Sequence, residues 1–109
     1  EQAYRAAVQH WQGESLPRLA LANIALARGE QAVAERELRE ALRLDPDDVA
    51  ARNNLAEVLR LIGCPESASR EIAIAVRLAA GGPLAASIAS TQRRIDASSG
   101  ADGPGCPAD

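Results

Sequence analysis

The sequence contains no Phe and no Met, and only one Trp and one Tyr. Without bulky apolar side chains the chain cannot fill the wide space between two packed sheets, so a sandwich or barrel is not expected. Lys is missing too: all twelve basic residues are Arg, against fifteen acidic residues, for a net charge of −3. That mild acidity argues against a nucleic-acid domain, which usually carries a basic face. There is no run of about 18 apolar residues, so no membrane span is expected. No signal peptide is visible, and the chain starts without Met inside a helical pattern, so it reads as a piece of a longer protein. Cysteine is scarce. Cys64 and Cys106 cannot make a disulfide framework and are expected to be free thiols, with a Cys64–Cys106 disulfide as the lesser alternative, leaving the compartment undecided between bacterial cytoplasm and periplasm.

What is present is Ala and Leu, with Arg, Glu and Gln, all strong helix formers. A core of Ala and Leu lets helix backbones approach closely. The abundance of Ala, Arg and Gly without Lys or Phe fits a GC-rich bacterial genome.

The dominant signal is internal repetition, which decides a fold before any local reading does. Shifted by 34, the sequence matches itself: Arg18 on Arg52, Leu21 on Leu55, Ala22 on Ala56, Gly29 on Gly63, Ala34 on Ala68, Ala41 on Ala75 and Leu44 on Leu78. Upstream, Tyr4 meets Leu38, Arg5 meets Arg39 and Ala7 meets Ala41; downstream the match fades, with Arg60 on Arg94. The spacing gives two full units, 15–48 and 49–82, preceded by the second helix of a truncated unit (1–14). A capping helix over 83–97 and a disordered tail over 98–109 follow.

Each unit reads as helix–turn–helix. A stripe of Leu19, Leu21, Ile24, Ala25 and Leu26 predicts a helix from about Leu16 to Arg28, stopped at Gly29. The next helix, about Gln31 to Leu44, turns Val33, Ala34, Leu38, Ala41 and Leu42 to one side. Its alternating charges, Glu35, Arg36, Glu37, Arg39, Glu40 and Arg43, read as a solvated outer face with Glu35–Arg39 and Arg36–Glu40 pairs. Asp45-Pro46-Asp47-Asp48 ends that helix and caps the next, about Asp48 to Ile62, which stops at Gly63. Pro65 opens the second helix of that unit, which runs to about Ala79. Gly81-Gly82-Pro83 precedes the last helix, and the Ser-, Gly-, Asp- and Pro-rich end cannot bury enough to order itself.

This pattern resembles the tetratricopeptide repeat family, through Leu21-Ala22, Gly29, Ala34, Leu38, Ala41 and Leu44-Asp45-Pro46, and again through Asn54-Leu55-Ala56, Leu59, Gly63, Ala68, Ile72 and Ala75. Arg18 and Arg52 replace the family's frequent aromatic near the start of each unit. The resemblance implies an all-α, right-handed α-α superhelix of about six antiparallel helices. It also implies a non-catalytic scaffold that binds a peptide or protein on a concave face made by the first helix of each pair. Mapped here, that face comprises Leu16, Leu19, Asn23, Leu26, Asn53, Asn54, Glu57 and Arg60. Asn amides suit an extended backbone and Arg60 a carboxylate. The carboxylate clamp of some members is not expected, because Leu19, Leu84 and Ile88 stand where its basic residues would be.

Other features carry less. Tyr4 and Trp11 pack against the next helix or form a self-association edge, giving a homodimer. His10 sits where a cation favours a helix C-terminus, and metal binding would need partners it lacks. No nucleophile has a base, no Gly-rich loop has a strand and Lys, and so no catalytic residue, metal or cofactor is expected. Two further readings remain: a homo-oligomerisation module, and a non-catalytic C-terminal repeat region of a bacterial C39-like cysteine peptidase or other enzyme, which the Tyr4–Trp11 half-unit, Asn53-Asn54-Leu55-Ala56 and Gly81-Gly82-Pro83-Leu84 resemble.

Overall fold

The structure, a computed structural model, describes residues 16–98 and 100–107, with side chains from Arg18 onward. The expected half-unit over 1–14, with Tyr4, His10 and Trp11, lies outside the described residues. Among the described residues five helices occur in order: α1 (Leu16–Ala27), α2 (Gln31–Leu44), α3 (Val49–Leu61), α4 (Pro65–Ala79) and α5 (Ala85–Ala97). No strand occurs among the described residues, and each helix packs on the next.

Helical periodicity decides what each helix buries. On α2 the buried residues are Ala34, Glu37, Leu38, Ala41 and Leu42, one continuous stripe at three- and four-residue spacing. The 34-residue register of the sequence is a register of burial. Leu21 and Leu55, Ala22 and Ala56, Ala34 and Ala68, Leu38 and Ile72, and Ala41 and Ala75 are all buried, and every one of those alanines is 0% exposed. Methyl side chains at these points let the helices close on each other, while Leu38, Leu55 and Leu59 fill the space alongside. The register lapses at the end of α4: Leu42 is buried but its equivalent Val76 is 44% exposed.

The turns repeat as well. Glu30 N–H donates to the Ala25 carbonyl at 2.8 Å, and Cys64 N–H to the Leu59 carbonyl at 2.8 Å. Each of these turns passes through a glycine in the left-handed region, Gly29 at φ 75° and Gly63 at φ 88°. A left-handed residue after the last helical turn lets the chain reverse while satisfying those carbonyls. Between units Asp48 caps α3, its carboxylate accepting the Ala51 N–H at 3.1 Å.

Two sequence expectations are corrected here. Glu37 does not belong to the solvated face: it is buried and receives Arg18 Nη1 at 3.0 Å. Glu71 receives Arg52 Nη1 at 2.8 Å in the equivalent position. The arginines that replace an aromatic thus tie the first helix of each pair to the second. On the outer face of α2, Glu35 pairs with Arg39, but Glu40 pairs with Arg43 and Arg36 lies nearer Glu37. The second correction concerns the cysteines and the tail. Cys64 and Cys106 form a disulfide. Residues 100–107, expected to be disordered, lie along the start of α4, where Asp102 receives the Glu66 and Ser67 N–H groups. Composition alone misses this because the covalent bond and the cap supply what burial cannot.

Candidate functional site

Positions 19, 23 and 26 of α1 share one stripe, spaced four and three apart. The 34-residue register carries them to 53, 57 and 60 on α3, and to 87, 91 and 94 on α5. The side chains are Leu19, Asn23 and Leu26; then Asn53, Glu57 and Arg60; then Ser87, Thr91 and Arg94, of which Thr91 is buried. Polar contacts join α1, α3 and α5 across the helix gaps.

Asn54 Nδ2 on α3 donates to Asn23 Oδ1 on α1 at 2.8 Å. Glu57 is gripped by Arg60 of its own helix, with Nη2 to Oε2 at 2.6 Å and Nε to Oε1 at 3.2 Å. Arg94 of α5 reaches the same carboxylate, Nε to Oε1 at 3.3 Å, and donates to Ser90 Oγ at 2.8 Å. Partial loss of water pushes the Glu57 carboxyl up. The Arg60 hydrogen bonds and the charges of Arg60 and Arg94 outweigh this and hold it below its ordinary value. Two guanidinium groups around one carboxylate leave this end of the stripe with a net positive charge.

The other residues of the expected face are placed less uniformly. Leu16 opens α1. Leu19 and Leu26 are half-buried and pack against the core. Asn23 is exposed and Asn54 half-buried. Asn53 is half-buried, and its Oδ1 is enclosed without a hydrogen-bond partner among the described residues. The structure thus pairs Asn23 with Asn54 and, separately, Glu57 with Arg60 and Arg94. The sequence carried a signal for Arg94, since the register sets it on Arg60, but its helix reads as a terminal cap.

No group of three metal-binding side chains occurs among the described residues. Among them, no helix is long and apolar enough to cross a membrane.

Residues 15–58, which span α1, α2 and most of α3, match the tetratricopeptide repeat family. The chain carries a tetratricopeptide repeat. Its helical hairpins and its 34-residue register of burial are those of a tetratricopeptide-like helical repeat. Such repeats are in general scaffolds for protein–protein interaction and are in general non-catalytic. No match was found among curated proteins.

Proposed function

We propose that the chain is a docking module that takes an extended peptide segment of a partner protein along the face shared by α1, α3 and α5. On this reading 15–48 and 49–82 are two tetratricopeptide units and 83–97 closes the stack. Their first helices line the concave side of a right-handed superhelix. The chain positions a partner and performs no reaction on it.

One observation carries the reading. Side-chain contacts link the three helices of this face, α1 to α3 through Asn23 and Asn54, and α3 to α5 through Glu57 and Arg94. Amide side chains both donate and accept, which matches the alternating N–H and C=O groups of an extended peptide. Arg60 and Arg94, sharing one carboxylate, favour an acidic side chain at that end. Leu19 and Leu26 at the other end favour an apolar one. The net charge of −3 disfavours nucleic acid as the partner.

The test is a selection from a displayed peptide library, followed by calorimetric titration of the winning peptide. Replacing Asn23, Asn54 and Arg60 by Ala together should weaken binding by about 10- to 100-fold, since each lost hydrogen bond is worth about 1 kcal/mol. Helical content by circular dichroism should be retained. Unchanged affinity in a folded triple variant would remove this face from the function.

A further inference from the structure

The segment after α5 is held by the Cys64–Cys106 disulfide, across a sequence separation of 42. Cys64 is the N-cap residue of α4 and offers no side-chain hydrogen bond to that helix. The cap comes instead from the distant tail. Asp102 accepts the Glu66 N–H at 2.6 Å and the Ser67 N–H at 3.1 Å, and it also accepts the Ser67 hydroxyl. In return the Asp102 N–H donates to Glu66 Oε1 at 3.1 Å. Ser67 is left only 3% exposed. This is a reciprocal capping arrangement in which the capping residue lies 36 positions along the chain.

These hydrogen bonds are weak holders by themselves. The segment has little stiffness of its own: it contains Gly100, Gly103 and Gly105, and fixing glycines costs more backbone entropy than fixing any other residue. Exposed hydrogen bonds exchange readily with water. The covalent link is what keeps Asp102 close enough to stay seated.

We propose that the Cys64–Cys106 disulfide is a redox latch: oxidised, it seats residues 100–107 on the start of α4, and reduction by a dithiol releases them and uncaps the helix. The two sulfurs are unequal. Cys64 is 2% exposed, whereas Cys106 is half-buried on the tail side. A dithiol's thiolate therefore attacks Cys106 Sγ, the S–S bond breaks, and Cys64 leaves as a thiolate at the N-terminus of α4. The second thiol of the reductant then attacks the mixed disulfide. Cys106 is released and the reductant leaves as a cyclic disulfide, so two electrons and two protons pass to the cysteine pair. The closed form belongs to an oxidising compartment.

The experiment follows thiol alkylation and residue-resolved amide exchange on the whole chain, before and after dithiothreitol. Air-oxidised protein should take up no alkylating reagent, and reduced protein two equivalents. Amide protection at Glu66 and Ser67 should fall at least tenfold on reduction, and cleavage by a protease cutting at Asp102 should accelerate. The Ala51 amide, capped by Asp48 three residues earlier in the chain, serves as the unaffected control. Cys106→Ser should reproduce the reduced pattern without reductant. Two reactive thiols in the air-oxidised protein, or unchanged protection at Ser67 after reduction, would overturn the latch.

Discussion

Replacing Ala75 by Leu puts three carbon atoms where the structure has a methyl group with 0% exposure. If a void lay beside it, filling that void would stabilise the protein by about 0.8 kcal/mol per added carbon, or roughly 2 kcal/mol in all. Two hollows open at this end of the chain, one lined by Val76, Ala79, Ala85 and Ile88 and one by Val49, Leu78, Pro83 and Leu84, and Ala75 lines neither. The larger side chain must push α4 away from its neighbours, and overpacking of this kind costs about 1–3 kcal/mol. For a domain this small, each kcal/mol moves the melting temperature by roughly 4–8 °C, so a fall of about 10 °C is expected. Ala73 lies on the same helix and is exposed. Ala73→Leu has the same chemistry and helix propensity, yet should change stability by no more than about 0.5 kcal/mol. Urea and thermal unfolding of both variants, followed by circular dichroism, make the comparison. An Ala75→Leu protein as stable as the wild type, or one no less stable than Ala73→Leu, would refute close helix approach at the methyl positions.

Gly63→Ala should cost about 1–2 kcal/mol in urea unfolding from backbone strain alone, because φ is +88° and nothing lies within 4 Å of the added Cβ. Gly29→Ala, at φ +75° with equally open surroundings, should cost about the same. Removing the disulfide by Cys64→Ser with Cys106→Ser should lower stability by about 2–4 kcal/mol, and an unchanged melting temperature would count against the cross-link. The Glu57 carboxyl is held below its ordinary value of 4.5, so its contribution is fully present above that pH and is lost as pH falls through the depressed value. Acid titration of stability should therefore show this loss only below pH 4.5, and Arg60→Gln should shrink it.

The helices were legible because their signals are local or periodic. Alanines recur at a fixed interval, Gly29 and Gly63 end helices by backbone geometry, and Asp48 caps through its own side chain. Each of these acts over a few residues or through the register. The Arg18–Glu37 and Arg52–Glu71 pairs were visible only as a recurrence, 19 residues apart in both units. Knowing that they meet requires the packing of one helix on the next. The Cys64–Cys106 bond and the Asp102 cap had no periodic signature at all. They depend on α5 delivering the tail to the start of α4, after two intervening helices, and the tail's composition by itself argues for disorder. The polar face shows the same division. Asn23, Asn54, Glu57 and Arg60 are named only as what the family resemblance implies for the first helix of each pair, whereas the contact of Arg94 with Glu57 follows from how α5 sits against α3.

The most direct test of the proposed docking face is an amide and side-chain NMR titration with a selected peptide. Shift changes should concentrate at Asn23, Asn54, Glu57, Arg60 and Arg94, with the Asn23 and Asn54 side-chain amides among the largest. Changes confined to α2 and the outer side of α4, with those five residues unmoved, would contradict it.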